Sequence, residues 1–447
     1  MNLDVELLSR IQFAMTVGFH FLFPPITIGL AWLLVIIEWL GWRKNSADYV
    51  RLGKFFGRIL ALTFAVGVAT GIVMEFQFGT NWAQYSKFVG DIFGAPLAAE
   101  GVLAFFLESA FLGLYLFGRN RVSKGMHWFS SLMVAFGATL SAFWIIVANS
   151  WQQTPAGYSL NATAHRAELS DFWAAAFNPS TLPRYFHTVD AALIAGAFLV
   201  AGLSAYLILH NKEAALAQKS MRIAIIFGLV ASCLEIFPFG HEHGRQVAAT
   251  QPEKFAAMNG LYTSVEGAPI VLFAVPQDQP PPVLRAEIKI PGLLSWLAFG
   301  DAHAHVQGIN EFPPENIPPL FLTFVSYHNM VLLGMYFVGI MVLATFLLRN
   351  GVLFEKKWLL KLFVFSIPLP LLACQLGWMA AEVGRQPWIV YHLMRTRDAF
   401  SPVLSEGQVW FSLTLLTLMY AFLGVTYVYL LKKKLAVGPV ALTGKEK

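Results

Sequence analysis

Charge is scarce in this chain of 447 residues: Asp, Glu, Lys and Arg together make up 13%, against about 25% in soluble domains. Hydrophobic residues reach 57% and the mean hydropathy is +0.59. That excess excludes an ordinary soluble enzyme and a disordered chain alike. Cysteine is nearly absent. Cys233 and Cys374 sit alone in apolar runs without CxxC spacing, which excludes a disulfide framework and a zinc ribbon. Asp4 and Glu6 precede the first base, Arg10, so a cleaved secretion leader is not expected. No internal repeat is present, so an inverted-repeat transporter gains no support. The net charge of +5 reflects membrane orientation rather than nucleic-acid binding, and no nucleic-acid partner is expected.

What the sequence does have is long apolar runs. Stretches near the ~20 residues needed to span a bilayer fall at 12–39, 55–76, 94–117, 127–149, 185–209, 223–238, 319–348, 362–382 and 408–431. The fold class expected is therefore an all-α, polytopic membrane bundle of about nine helices. Loop charge orients it. Segments 40–54, 118–126, 210–222, 349–361 and 432–447 hold 19 Lys and Arg in 66 residues, whereas the alternate set holds 11 in 168. By the positive-inside rule the N-terminus lies outside and the C-terminus in the cytoplasm. Residues 1–238 then carry the first six spans, 239–318 form a long external loop before the seventh helix, and 319–447 carry the last three spans with a basic tail. The loop contains 10 of the 23 prolines, including Pro280, Pro281 and Pro282.

Ionisable side chains inside spans cost about 2.5–3.5 kcal/mol on insertion scales, so each asks for a partner. The candidates are His20, Glu38, Glu75, Glu100, Glu108, His187, Glu235, His328 and Glu382, with Met330 as a soft sulfur ligand. Threaded through the topology, His20, Glu100, His187, Met330 and Glu382 all fall in the outer half; His20, for instance, lies about 14 Å along the first helix. Glu38 and Glu75 lie near helix ends and read as interface residues. Pro24 removes the amide that would bond the His20 carbonyl, and Pro368 and Pro370 loosen the eighth span, so bends are expected at both places. Two His, a Met and several Glu in an aromatic-rich membrane suit haem iron best: a His/Met pair gives a six-coordinate electron-transfer haem, and a single axial ligand leaves iron open to oxygen. Zinc would want tighter spacing. Spacing alone does not choose between haem and a purely protonic relay.

The runs SRIQFAMT (9–16), FHFLFPP (19–25), GVATGIVMEFQFGTNW (67–82), GDIFGAPLAAEG (90–101), FFLES (105–109), WIIVANSWQQ (144–153), QPEKFAAMNGLY (251–262) and GWMAAEVGRQPW (377–388) together resemble subunit I of cytochrome bd-type quinol:oxygen oxidases. The resemblance covers essentially the whole chain, in order, and implies a nine-span fold with the N-terminus outside. It implies a terminal respiratory oxidase of the bacterial cytoplasmic (inner) membrane. Such an enzyme oxidises quinol outside and reduces oxygen with cytoplasmic protons, building proton motive force without pumping.

The resemblance also assigns roles. His187 and Met330 match the axial pair of low-spin haem b558. His20 and Glu382 match axial positions of high-spin haems b595 and d, the pairing left open, and Glu100 matches an acid beside them, a candidate sixth ligand. Glu108, Ser109, His127 and Ser141 match a proton path from the cytoplasm. Arg10 and Arg385 match propionate partners, and Trp388, closing GRQPW, joins the cofactor-binding set. Lys254 matches a residue of quinol oxidation; we expect quinol to dock near it and Glu242. A second membrane subunit and small single-span subunits are the implied partners. Departures are Asn259 for a family Glu, His241 after Gly240 for Asp, and His328 for an Arg in some members. They leave the haem ligands untouched but bear on quinol docking, and haem d stands open to replacement by a b-type haem. Two competing readings remain: a haem-free proton or cation transporter, and a haem sensor or carrier that would dispense with His20 and Glu382.

Overall fold

The computed structural model describes residues 4–277 and 283–439. Pro280, Pro281 and Pro282 and the end of the basic tail lie outside the described residues. Among the described residues, nine helical runs are long and apolar enough to cross a membrane, in a mostly helical bundle.

The first span is two helices, α1 (Val5–His20) and α2 (Phe23–Arg43), broken at Phe21 and Leu22. Pro24 and Pro25 sit in the first turn of α2, where a missing amide is harmless, so the expected bend becomes a break just after His20. The second span is α3 (Ala47–Thr80). The third joins α4 (Ala83–Ala99) to α5 (Phe106–Phe117) through a π-helical turn, Glu100–Phe105. Then come α6 (Lys124–Gln153) and α7 (Thr181–Leu209). The sixth span was expected to end at 238. The apolar helix α8 (Ala214–Leu234) does give way there, at a kink where Phe237 has extended backbone angles, and a separate helix, α9 (His241–Thr250), follows in line. Apolarity marked only the lipid-depth portion; α9 is polar helix that buries Val247 and Ala248 under the external loop. After α10 (Pro252–Asn259), the remaining spans are α11 (Leu320–Arg349), α12 (Lys357–Phe365) with α13 (Leu369–Val383), and α14 (Glu406–Val437). The α12–α13 break falls at Pro368, as expected from its proline pair.

Short antiparallel hairpins, unanticipated from the sequence, decorate the segments between spans. β1 (Tyr158–Asn161) pairs with β2 (Arg166–Leu169), and β3 (Ile270–Gln277) with β4 (Val283–Ile290). The main core packs Leu33, Leu34 and Ile37 of α2 with Phe56 and Ile59 of α3, Phe198 of α7, Met341 of α11 and Phe363 of α12. Separate apolar clusters sit under the external loop and around Trp82, Tyr85 and Trp151. The outermost span is α14, which buries only 6% of its most apolar window.

Helix α2 crosses α7 at Gly29 and Gly196. A Cβ on Gly29 would come within 2.7 Å of the Gly196 nitrogen and 2.8 Å of its Cα, the close approach that small residues permit between membrane helices. Gly196→Val is expected to lower stability by about 1–3 kcal/mol through overpacking. Thermal unfolding in detergent reads this, and an unchanged midpoint would show that the crossing tolerates side chains.

Candidate functional site

The C-terminal end of α13 works as a ruler for the site. Glu382 stands one residue before its end. Five residues below, a Cβ on Gly377 would lie 2.8 Å from the Met330 sulfur, so the missing side chain makes room for the thioether of α11. Two residues deeper, Gln375 donates to the Gly18 carbonyl at 2.8 Å, next to His20. On α7, Arg184 donates to Asn149, and His187 stands one turn further along, its Nδ1 3.0 Å from Glu235 Oε1. Seven residues at 1.5 Å make the α13 contacts about 10 Å deep. On α6, Asn149 donates to Glu382 at 3.1 Å and Ser141 donates to Glu100 at 2.6 Å, eight residues apart. The five expected ligands, carried on five spans, thus share one slab. All are half-buried. Among the described residues no three His, Cys, Asp or Glu side chains are grouped to hold a single metal ion. They are dispersed, one or two per locality.

A buried polar network caps this slab. Glu382 accepts from Asn149, from Gln153 at 3.2 Å and from Arg385. Arg385, only 4% exposed, also donates to Gln152 at 3.2 Å and to the Trp388 carbonyl at 3.3 Å. Arg184 donates to Asn149, and its Nε is buried without a hydrogen-bond partner, as is the indole nitrogen of Trp388. Lys254 is the surprise. Expected on an interfacial loop, it is 3% exposed and donates to Gln153 and Gln251 at 2.5 and 2.6 Å. Burial, followed by the Arg184 and Arg385 charges, holds its ammonium well below the usual lysine range. Three basic side chains face one carboxylate, and the two guanidiniums alone leave the network with a surplus of positive charge.

The expected proton-path residues are not joined in one file. His127 is buried at the opposite end; its Nε2 faces the Tyr115 carbonyl at 2.9 Å and its Nδ1 lies 3.5 Å from Glu38. Glu38, read as an interface residue, is instead 4% exposed and held by Arg119 and the Tyr115 hydroxyl. Its place near a helix end concealed a tertiary pair. Glu108 is buried with its Cβ against Gly137. Ser141 bonds Glu100, and Ser109 donates one turn back along its own span, to the Phe105 carbonyl. Glu75 is exposed on α3. Arg10 is half-exposed, 3.5 Å from Glu6 and from Gln386. Glu242 pairs with Arg245 on the exposed face of α9. His328 is tied to the Phe324 and Val271 carbonyls at 3.0 and 2.9 Å, pinning β3 to α11. Sequence reasoning missed Arg184 and the amides Asn149, Gln152, Gln153 and Gln251, because neutral amides carry no charge signal; the only hint was their clustering in WIIVANSWQQ and QPEK.

Because Lys254 has a lower pKa folded than unfolded, the unfolded chain binds the extra proton. Stability of the unliganded chain should therefore rise with pH toward the unfolded lysine value of about 10.4. Lys254→Met is expected to flatten that rise, measured by thermal unfolding between about pH 7 and 10; identical slopes would show that the lysine carries no burial penalty.

Comparisons with known proteins agree with this architecture. The family model described as "Cytochrome bd terminal oxidase subunit I" matches residues 8–439. "Cytochrome bd ubiquinol oxidase subunit 1" of Bacillus subtilis is 40% identical over 441 residues, covering 96% of this chain and 93% of the relative. "Cytochrome bd-II ubiquinol oxidase subunit 1" of Escherichia coli is 35% identical over 508 residues, covering 99% and 98%. The solved bd oxidase of Geobacillus thermodenitrificans superposes with a TM-score of 0.91 at 29% identity, over 98% of this chain and 100% of that one. None of these matches supports the transporter reading. The chain belongs to the cytochrome bd terminal oxidase subunit I family.

Proposed function

We propose that this chain is the haem-bearing subunit of a quinol:oxygen oxidoreductase in the bacterial cytoplasmic membrane. The observation that carries the proposal is the shared slab: five ligand-type side chains from five spans, under a network with a surplus of positive charge. Dispersed axial groups suit several porphyrin irons rather than one bare metal, and the surplus suits the carboxylates that porphyrins carry. When bound, the haems supply the electron relay and the iron at which oxygen is reduced.

His187 and Met330 are the pair for low-spin haem b558. His20 and Glu382, with Glu100 alongside, serve the high-spin haems b595 and d, with haem d open to replacement by a b-type haem. Arg385, Arg184 and Lys254 hold the acidic groups of the macrocycles, with Arg10 at the edge and the Trp388 indole as a further donor. Lys254 then acts on quinol oxidation from within, by its charge. The quinol itself meets the exposed face of the external loop, where Glu242 lies. Two quinols release four protons outside, and one oxygen takes the four electrons and four cytoplasmic protons to give two waters, so charge separates without pumping. His127 and Glu38 stand at the inner entrance, Glu108 takes protons further in, and Ser141 hands them to Glu100. Ser109 contributes to the wall of that path. A second, structurally related membrane subunit, and small single-span subunits, cover the lipid-facing spans.

Purified complex should show reduced-minus-oxidised haem bands, with pyridine haemochrome analysis counting more than one haem; a colourless preparation contradicts the proposal. Met330→Leu should convert the low-spin signal to high spin while oxygen-type ligands still bind, and a surviving low-spin signal would remove Met330 from the pair. Glu108→Ala should slow oxygen consumption by about 100-fold with haems retained. Unchanged turnover would take Glu108 off the path.

A further inference from the structure

The break after α1 leaves His20 facing one turn of α3, and that turn is built to receive it. His20 Nδ1 lies 3.0 Å from the hydroxyl oxygen of Thr70, a fully buried residue. The hydroxyl proton has its own destination, since Thr70 Oγ1 donates back along its helix to the carbonyls of Val66 at 2.9 Å and Gly67 at 3.0 Å. With its proton directed at those carbonyls, Thr70 accepts from the ring, and the Gly67 carbonyl lies beside the same imidazole. The imidazole is then protonated at Nδ1, and its Nε2 lone pair is free. The next residue, Gly71, adds the space: a Cβ there would sit 3.1 Å from His20 Cε1, closer than ordinary contact.

We infer that Thr70 is the positioning residue for His20, fixing its tautomer and ring angle so that Nε2 points at haem iron, with Gly71 as the slot for the ring. The inference deepens the reading of His20 as a haem ligand and rests on it. Metal-binding histidines generally donate their second ring nitrogen to an acceptor of this kind, and losing it costs about 10–100-fold in affinity. Nothing in the charge pattern marks Thr70; it sits mid-motif in GVATG with no ionisable neighbour in sequence.

The test uses the assembled oxidase complex carrying Thr70→Val, Thr70→Ser, Gly71→Ala or His20→Ala. The readouts are haem stoichiometry and the iron–histidine stretching band of the reduced enzyme in resonance Raman, with the low-spin haem spectrum as an internal check of folding. Thr70→Val should move that band to lower frequency and weaken retention of that haem by about 10–100-fold, leaving the low-spin spectrum intact. Thr70→Ser, which keeps the hydroxyl, should restore the parent band, and Gly71→Ala should lower occupancy by crowding the ring. If Thr70→Val fails to assemble, Thr70→Ala takes its place and must shift the band equally. A parent-like band and haem content in Thr70→Val or Thr70→Ala overturns the inference, as does a Thr70→Ser enzyme that behaves like the valine variant. His20→Ala separates the two ideas: if it keeps both the haem and the band, the ligand reading of His20 fails; if it loses them while Thr70→Val does not, only the role of Thr70 fails.

Discussion

Three basic side chains, buried Arg385 and Lys254 and half-buried Arg184, face a single carboxylate, Glu382, and one end of the bundle is organised around that imbalance. Like charges gathered away from water repel and lose hydration. The surrounding amides soften this without neutralising it, because each offers a carbonyl to a cation and an NH2 to an acceptor. Gln153 shows the arrangement: its oxygen accepts from Lys254 and its nitrogen donates to Glu382. The result ties α6, α7, α10 and α13 together at one level, and it leaves a demand for negative charge that the described residues do not meet. A cofactor with acidic groups satisfies both needs at once.

The opposite end of the bundle is organised differently. Glu38 meets Arg119, with the Tyr115 hydroxyl and His127 completing its surroundings. One acid facing one guanidinium is closed and balanced, so it can fix the ends of α2, α5 and α6 without calling for a ligand. Between the two ends, the π-helical turn at Glu100 widens its helix where a carboxylate enters the interior, as such turns commonly do at functional sites, and the kink after Glu235 breaks the sixth span beside another. A cap with surplus positive charge at one end and a charge-balanced, titratable cluster at the other fits a machine whose redox groups sit at the first end and whose protons enter at the second.

The spans were legible because a bilayer imposes length and apolarity, and the breaks because proline lacks an amide. His20, Glu100, His187, Met330 and Glu382 stood out as candidates because an ionisable or soft ligand in lipid is rare, and loop charge offered each an expected depth. The unread part has physical reasons. Helix α9 extends past the lipid boundary, where hydropathy no longer reports on helix. Glu38 lay near a helix end, where position alone cannot distinguish a water-facing acid from one sealed by Arg119. Ser141 reached Glu100 rather than Glu108 because side-chain direction around α6 is set by packing, which spacing does not encode. Lys254 lay in a loop, and nothing in a loop's composition says what covers it.

The account depends on the surplus positive charge belonging to porphyrin acids. A density map of the intact complex tests this most directly. The account predicts flat macrocycles held between His187 and Met330 and beside His20 and Glu382, with their acidic groups against Arg184, Arg385 and Lys254. A map in which those three cations are instead neutralised by carboxylates of a neighbouring subunit, with no macrocycle in contact, would contradict it.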